Sequence, residues 1–459
     1  MERYHISITE VGFDTCVVAP AKYSTSSGAI LDYDTVLRAL KRIVFAHPAL
    51  CVQIGGSHDK KPYFVRLPRV DLNDVLTYTT DVAESVEQVV NAELQRPFSR
   101  STTKPLWRVT VRTDNVVVFA WHHSIADGGC AHSFHAAFLT ALNSKSEPGD
   151  ADSSTIIIVP DKLIIAPAIE ERTSIAVSPG TLFDAIYDSF APLAVKRLSK
   201  AWTAKRISKE PHLQIETRIR LIDPDTARKL IALCRERKCT LTAFIHTLVL
   251  LALSHRLAGS KADIYGMKKK YKTFATVVPI SLRRFTGTSP LDLCDQVTVY
   301  HAHPKITRDI PQFPPTKDTF PWHTASEYAT SLHANLKKAR QVIGTIGIIY
   351  KLGIANKYFL DQLGEKRENT LVLSNIGAMP KLNDLGEKQR DDGVLWQVDN
   401  IGFGQNDNVI ASAIKLNMAG SPSGTISAVY NWGTNNIDTE LVEGVIADVH
   451  DSISAILAE

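Results

Sequence analysis

At 459 residues the chain exceeds what one simple core usually holds, so two or three domains are expected. Its composition, 44% apolar and 22% charged, is that of a soluble globular protein, and a net charge of +4 argues against a nucleic-acid binder, which would carry a strongly basic stripe. The six cysteines, Cys16, Cys51, Cys130, Cys234, Cys239 and Cys294, form no C-x-x-C pair, which disfavours structural zinc or a disulfide framework and points to reduced thiols in the cytoplasm.

The polar N-terminus lacks the apolar run of a signal peptide, and residues 4–8 alternate as a strand would. Residues 32–46 have helical apolar spacing with Asp32 or Asp34 as cap, and His47-Pro48 ends that helix. A hairpin is expected from 50–54 and 62–67 across the polar loop 55–61, then a helix over 82–94. A second hairpin joins 107–111 to 116–121. Residues 131–142 read as a helix, and 143–154 as a surface loop or linker. Beyond it, helices are expected at 181–205, 225–237, 242–257, 324–342 and 438–457. Strands are expected at 213–221, 273–280, 297–301, 370–375, 394–398, 409–416 and 425–432, with a proline-rich loop at 310–322. The most apolar stretch, 241–253, is broken by Thr242 and His246 and is too short to span a bilayer, so no membrane partner is expected. The pattern suggests two α/β lobes, placed at 1–175 and 176–459.

Between the strand ending at Trp121 and the following helix stands His122-His123-Ser124-Ile125-Ala126-Asp127-Gly128-Gly129. A strand that ends in a histidine pair and turns into a helix can hold a general base, because imidazole alone titrates near neutrality without perturbation. His122 and His123, adjacent on a strand, should face opposite ways. Asp127 could orient a histidine as in a hydrolase triad, or be structural. Gly128 and Gly129 allow close backbone approach, and Gly128 could offer an N–H to an oxyanion or simply make a turn. Cys130 reads as a small residue opening a buried helix rather than a nucleophile. His132 and His135 have no acidic cluster beside them, so no metal is expected. The run Lys268-Lys269-Lys270-Tyr271-Lys272 could attract phosphates or an acidic protein surface, or be a solvated loop.

His122-His123-Ser124-Ile125-Ala126-Asp127-Gly128 resembles the H-H-x-x-x-D-G motif of the chloramphenicol-acetyltransferase-like superfamily of CoA-dependent acyltransferases. That group includes condensation domains, alcohol acetyltransferases and BAHD acyltransferases. His47-Pro48-Ala49-Leu50, Pro105-Leu106-Trp107-Arg108, Val278-Pro279-Ile280-Ser281-Leu282-Arg283 and Leu373-Ser374-Asn375-Ile376-Gly377 are further landmarks similar to the superfamily's, in the same order. The D-F-G-W-G of the BAHD branch is missing, Ile401-Gly402-Phe403-Gly404 being the nearest stretch. The resemblance, closest to stand-alone condensation and alcohol acetyltransferase enzymes, implies a V-shaped pair of lobes with mixed sheets and an interlobe tunnel.

It further implies that His123 is the base and His122 structural. Asp127 would pair with Arg283 across the lobes, with Arg284 as the alternative. Ser374 and Asn375 would donate to the tetrahedral intermediate or hold a pantetheine arm, unless they form only a strand-end turn. The expected activity is transfer of an acyl group from acyl-CoA, a co-substrate rather than a bound cofactor, to a hydroxyl, less readily an amine, of a small acceptor. The rival readings are a free-standing condensation enzyme served by an acyl or peptidyl carrier protein, and a non-catalytic descendant of the fold. A cytoplasmic monomer without metal is expected.

Overall fold

The computed structural model describes all residues except 15, 57–61, 99–102, 146–153, 191–196, 259–270, 309, 382–394, 407–408 and 459. Two mixed six-stranded sheets organise the chain. The first runs Trp396–Ile401, Val17–Thr25, Val116–Trp121, Trp107–Arg112 and Leu76–Thr79, with Gly404–Gln405 also paired to Val17–Thr25. The second runs Ile215–Ile222, Ile426–Gly433, Ser412–Gly420, Asn369–Ala378, Thr276–Ser281 and Val297–Ala302.

All six residues of Val116–Trp121 are buried, because elements cover both faces of the first sheet; this is why the strand reads as a continuous apolar run rather than an alternation. One cover is the helix Cys130–Asn143, whose Phe134 stacks on Phe119 at 3.8 Å between ring centroids. Helix starts follow local chemistry. Asp32 accepts the Thr35 N–H at 2.8 Å, and Ser85 and Gln88 form a reciprocal capping box before Val86–Leu94. The second core is built largely on the helices Leu241–Ala258 and Thr439–Leu457. Leu241–Ala258 is longer than the 241–253 stretch. Among the described residues it is the one helix long and apolar enough to cross a membrane by length and composition, yet 72% of it is buried.

Several expectations are corrected. Residues 4–8 form part of a helix, Glu2–Glu10, not a strand. Its Ile6 enters the first core, while Ile8 packs with Phe13, Ile207, Phe359, Val409 and Ile410, so tertiary burial overrides a short alternation. The helix expected over 181–205 is Pro179–Phe190, and Ala201–Trp202 is a short strand instead. The helix expected at 324–342 extends over Trp322–Lys351.

The strand Val17–Thr25 was not anticipated. Pro20 sits in its middle, a position normally denied to proline in a central strand. The partner strands Trp396–Ile401 and Gly404–Gln405 leave a gap opposite it. Within that gap the Pro20 carbonyl accepts the Gly402 N–H at 2.9 Å, and a missing donor leaves nothing unpaired.

The largest departure concerns connectivity. A strand expected within lobe 176–459 crosses to the first sheet: Trp396–Ile401 lies antiparallel to Val17–Thr25, and its Trp396, Val398 and Ile401 join the first core. Asn143, at the end of the motif helix, clamps the newcomer by donating to the Trp396 carbonyl at 3.0 Å and accepting its N–H at 2.8 Å. In the other direction, Glu87 accepts the Ile219 N–H at 2.7 Å on the edge strand of the second sheet. A buried amide chain also links the sheets. Gln405 donates to Asn417 at 3.0 Å, Asn417 to Asn431 at 3.0 Å, and Asn431 to Thr217 at 2.8 Å.

Asn143→Ala leaves a buried N–H and C=O of Trp396 without partners and should destabilise the fold by about 1–3 kcal/mol per orphaned group, read from urea denaturation midpoints.

Candidate active site

The segment after Trp121 folds back on itself. The Trp121 indole donates to the Ala126 carbonyl at 2.8 Å, Ile125 N–H to the His122 carbonyl at 3.1 Å, and Cys130 N–H to the Asp127 carbonyl at 3.0 Å. The neighbouring histidines are treated differently. His122 is buried; its Nδ1 accepts the Ser124 N–H at 3.1 Å and its ring meets Phe98 edge-on. His123 is half-buried, and among the described residues no other gives its Nδ1 a hydrogen bond. Burial holds the His123 imidazole below its usual pKa, against the opposing pull of Asp14, its own carbonyl and Asp127.

Asp127 and Arg283 form an ion pair at 2.6 Å, both nearly removed from water. The remaining capacity of the carboxylate goes to the Gly129 N–H at 2.9 Å and the Gln296 N–H at 2.9 Å. Arg283 also donates to the Cys294 carbonyl at 3.1 Å, while the Asp127 N–H reaches that same carbonyl at 3.2 Å. Burial opposes charge on Arg283, but Asp127 together with the neighbouring Cys130 and Cys294 outweighs it and the guanidinium stays protonated. Arg284 lies elsewhere, over the Phe285 ring.

Gly128 is closely covered. A Cβ there would come within 2.9 Å of the Phe403 ring, which arrives on the crossing segment Ile401-Gly402-Phe403-Gly404. Ser374 is buried on the strand Asn369–Ala378, level with Asn417. The Asn375 amide is occupied locally, donating to Thr242 at 3.1 Å and accepting the Gly377 N–H at 3.0 Å where φ is +79°, the geometry of a strand-end turn. The Cys130 thiol is fully buried and pushed up by burial, with Sγ 3.3 Å from the Cys294 carbonyl. His135 bonds Tyr23 Oη at 2.8 Å and the Ala19 carbonyl at 3.0 Å; burial lowers it to about 4 and His132 to about 3. Lys268, Lys269 and Lys270 lie outside the described residues.

Three further groups surround His123 that local spacing did not announce. His5 stacks on it face to face, 3.7 Å between centroids and 3° between planes. Asp295 lies behind His5, at 3.5 Å. Lys415, bonded to the Asn406 carbonyl, is close enough to oppose protonation of both histidines. His5, His123 and Asp295 bring one ligand atom each to within 4.8 Å of one another. A metal bonds an imidazole nitrogen in the plane of the ring, and two parallel stacked rings share no such plane. One ring would have to rotate before both could ligate one ion.

The alcohol acetyltransferase family model matches residues 31–440. The chain belongs to the alcohol acetyltransferase family. A curated relative from Fusarium pseudograminearum (strain CS3096), named probable alcohol acetyltransferase FCK4, is 23% identical over 97% of this chain and 90% of its own. Among solved structures, the TRI3 trichothecene 15-O-acetyltransferase of Fusarium sporotrichioides superposes with a TM-score of 0.70 at 12% identity, covering 99% of this chain and 93% of its own. The condensation domain of the monacolin K polyketide synthase MokA superposes with a TM-score of 0.57 at 12% identity, covering 96% and 92%. The two-lobed fold of acetyltransferases and condensation domains is therefore shared by this alcohol acetyltransferase family member, which is an acyltransferase by kind.

Arg283→Met would leave Asp127 buried with its principal charge partner gone. Denaturation should show a loss of about 3–5 kcal/mol, and Asp127→Leu added to it should recover part of that loss.

Proposed function

We propose that this protein transfers an acyl group from acyl-CoA to a hydroxyl of a small-molecule acceptor, with His123 as general base. The observation that carries the reading is the placement of His123, half-buried at the strand-to-helix turn of H-H-x-x-x-D-G, with Asp127 of the same turn already committed to Arg283. An acceptor hydroxyl gives its proton to the His123 imidazole as its oxygen attacks the thioester carbonyl. The tetrahedral intermediate collapses with cleavage of the carbon–sulfur bond, and the imidazolium returns the proton to the departing thiolate. Ester and free thiol are the products, and the base is regenerated.

Asp127 serves this chemistry at one remove. Its carboxylate is occupied by Arg283, Gly129 and Gln296, so it acts as a brace of the turn rather than the third member of a triad. His122, bonded to the Ser124 N–H, is structural. The Gly128 N–H and Ser374 are the proposed donors to the oxyanion. Asn375, held in its own turn, shapes that strand end. The names of FCK4 and TRI3, an alcohol acetyltransferase and an O-acetyltransferase, support a hydroxyl over an amine acceptor.

Purified protein given acetyl-CoA and a panel of small alcohols, with no carrier protein, should release free thiol and form ester. His123→Ala should lower kcat/KM by about 10²–10⁴-fold. Because burial lowers the His123 pKa, the base loses activity only when protonated at low pH, so the acidic limb of kcat/KM should fall below the usual histidine value of about 6.5. Turnover that requires a carrier-bound thioester, or an unimpaired His123→Ala variant, would contradict the proposal.

A further inference from the structure

The helix Glu2–Glu10 lies upstream of residue 31, where the family match begins, yet it delivers His5 onto the proposed base. It is held at several points. Tyr4 meets Phe359 edge-on at 5.4 Å, the Arg3 carbonyl accepts the Tyr350 hydroxyl at 2.9 Å, and Ile6 and Ile8 enter two different cores. So fixed, the helix sets the His5 ring parallel to His123 with no room for a third group between them. His5 is buried, and among the described residues neither of its nitrogens has a hydrogen bond.

Asp295 stands at 3.5 Å from His5 Nε2, and its position derives from the motif brace. The residue before it, Cys294, accepts from Arg283 and from the Asp127 N–H, and the residue after it, Gln296, donates to the Asp127 carboxylate. The segment that ties Asp127 down therefore also carries the carboxyl behind His5. A chain of fixed groups runs from Arg283 and Asp127, through residues 294–296, to His5 and so to the face of His123.

We propose that His5 is a positioning residue for His123, a flat wall that fixes the plane of the base and excludes water from one face of its ring. The inference rests on the acyl-transfer reading above. An exposed imidazole rotates about its Cβ–Cγ bond among broad minima, whereas a ring pressed against a parallel neighbour cannot turn without opening the stack. Alignment matters to proton transfer, and a misplacement of about 1 Å can cost on the order of 10²-fold in rate.

The charged and titratable groups around the pair are those that set its response to pH. His123 is faced by Asp14, Asp127 and Lys415; His5 by His122, His123, Lys415 and the Met1 ammonium; Asp295 by Glu2, the Met1 ammonium, Asp127 and Arg283. Burial, followed by His123, lowers His5 well below its usual value, and burial with Glu2 raises the Asp295 carboxyl well above its own.

The test compares His5→Ala and His5→Phe with the parent and with His123→Ala, using acetyl-CoA and the best alcohol found. Removing the ring should lower kcat by about 10- to 100-fold with little change in KM. Admitting water to the face of His123 should also move the acidic limb of kcat/KM upward, toward an ordinary histidine. His5→Phe retains a flat ring and should recover most of kcat and keep the limb low. A His5→Ala enzyme with the parent kcat and pH profile would overturn the proposal. So would parallel loss of activity and of cooperative unfolding in both variants, which would make His5 only a packing residue. If His123→Ala itself stays active, the acyl-transfer reading fails first; if only the His5 variants are silent, that reading stands.

Discussion

Two opposite charges withdrawn from water hold the site together. The Asp127–Arg283 pair is supported by backbone groups of both lobes: Gly129 N–H on one side, Gln296 N–H and the Cys294 carbonyl on the other. A buried pair of this kind contributes less through net stability than through the arrangements it forbids. Any displacement of the turn against residues 294–296 would leave a charge or an amide unpaired. Thus the loop bearing His123 has a single geometry relative to the second lobe.

The crossing strand supplies the complementary constraint from the other side of the turn. Trp396–Ile401 completes the first sheet, and the segment following it places Phe403 over Gly128, where any side chain on the glycine would collide. Apolar packing of Phe403 therefore flanks the turn where the ion pair does not. The two devices differ in character. The pair specifies position through charge, whereas Phe403 and Trp396 do so through volume.

Much of this was legible in the sequence because the relevant signals are local. The run 116–121, the H-H-x-x-x-D-G turn and the helix after it are consecutive, and each follows from periodicity or turn chemistry. The Asp127–Arg283 contact came from resemblance, since no spacing rule links residues so far apart. What escaped reading was set by tertiary packing. Pro20 hid a strand because the gap that excuses its missing N–H is made by Gly402, far away in the chain. Tyr4 to Ile8 alternated like a strand, but two cores, neither visible locally, wrap it as a helix. His5 and Asp295 carried no mark at all. The segment Ile401-Gly402-Phe403-Gly404 is, as sequence, only a poor match to another branch's motif, whereas in the fold its Phe403 packs against Gly128.

The exchanged strand also bears on how the chain comes into being. Val17–Thr25 leaves the ribosome well before its outer partners, residues 396–405, which follow it at long sequence separation. Until then the first sheet presents an open, apolar edge that could pair with a neighbouring chain. Completion of the first sheet therefore waits on residues 396–405, so the two lobes do not mature as independent units. A nascent chain of this design depends on having that edge shielded while translation proceeds.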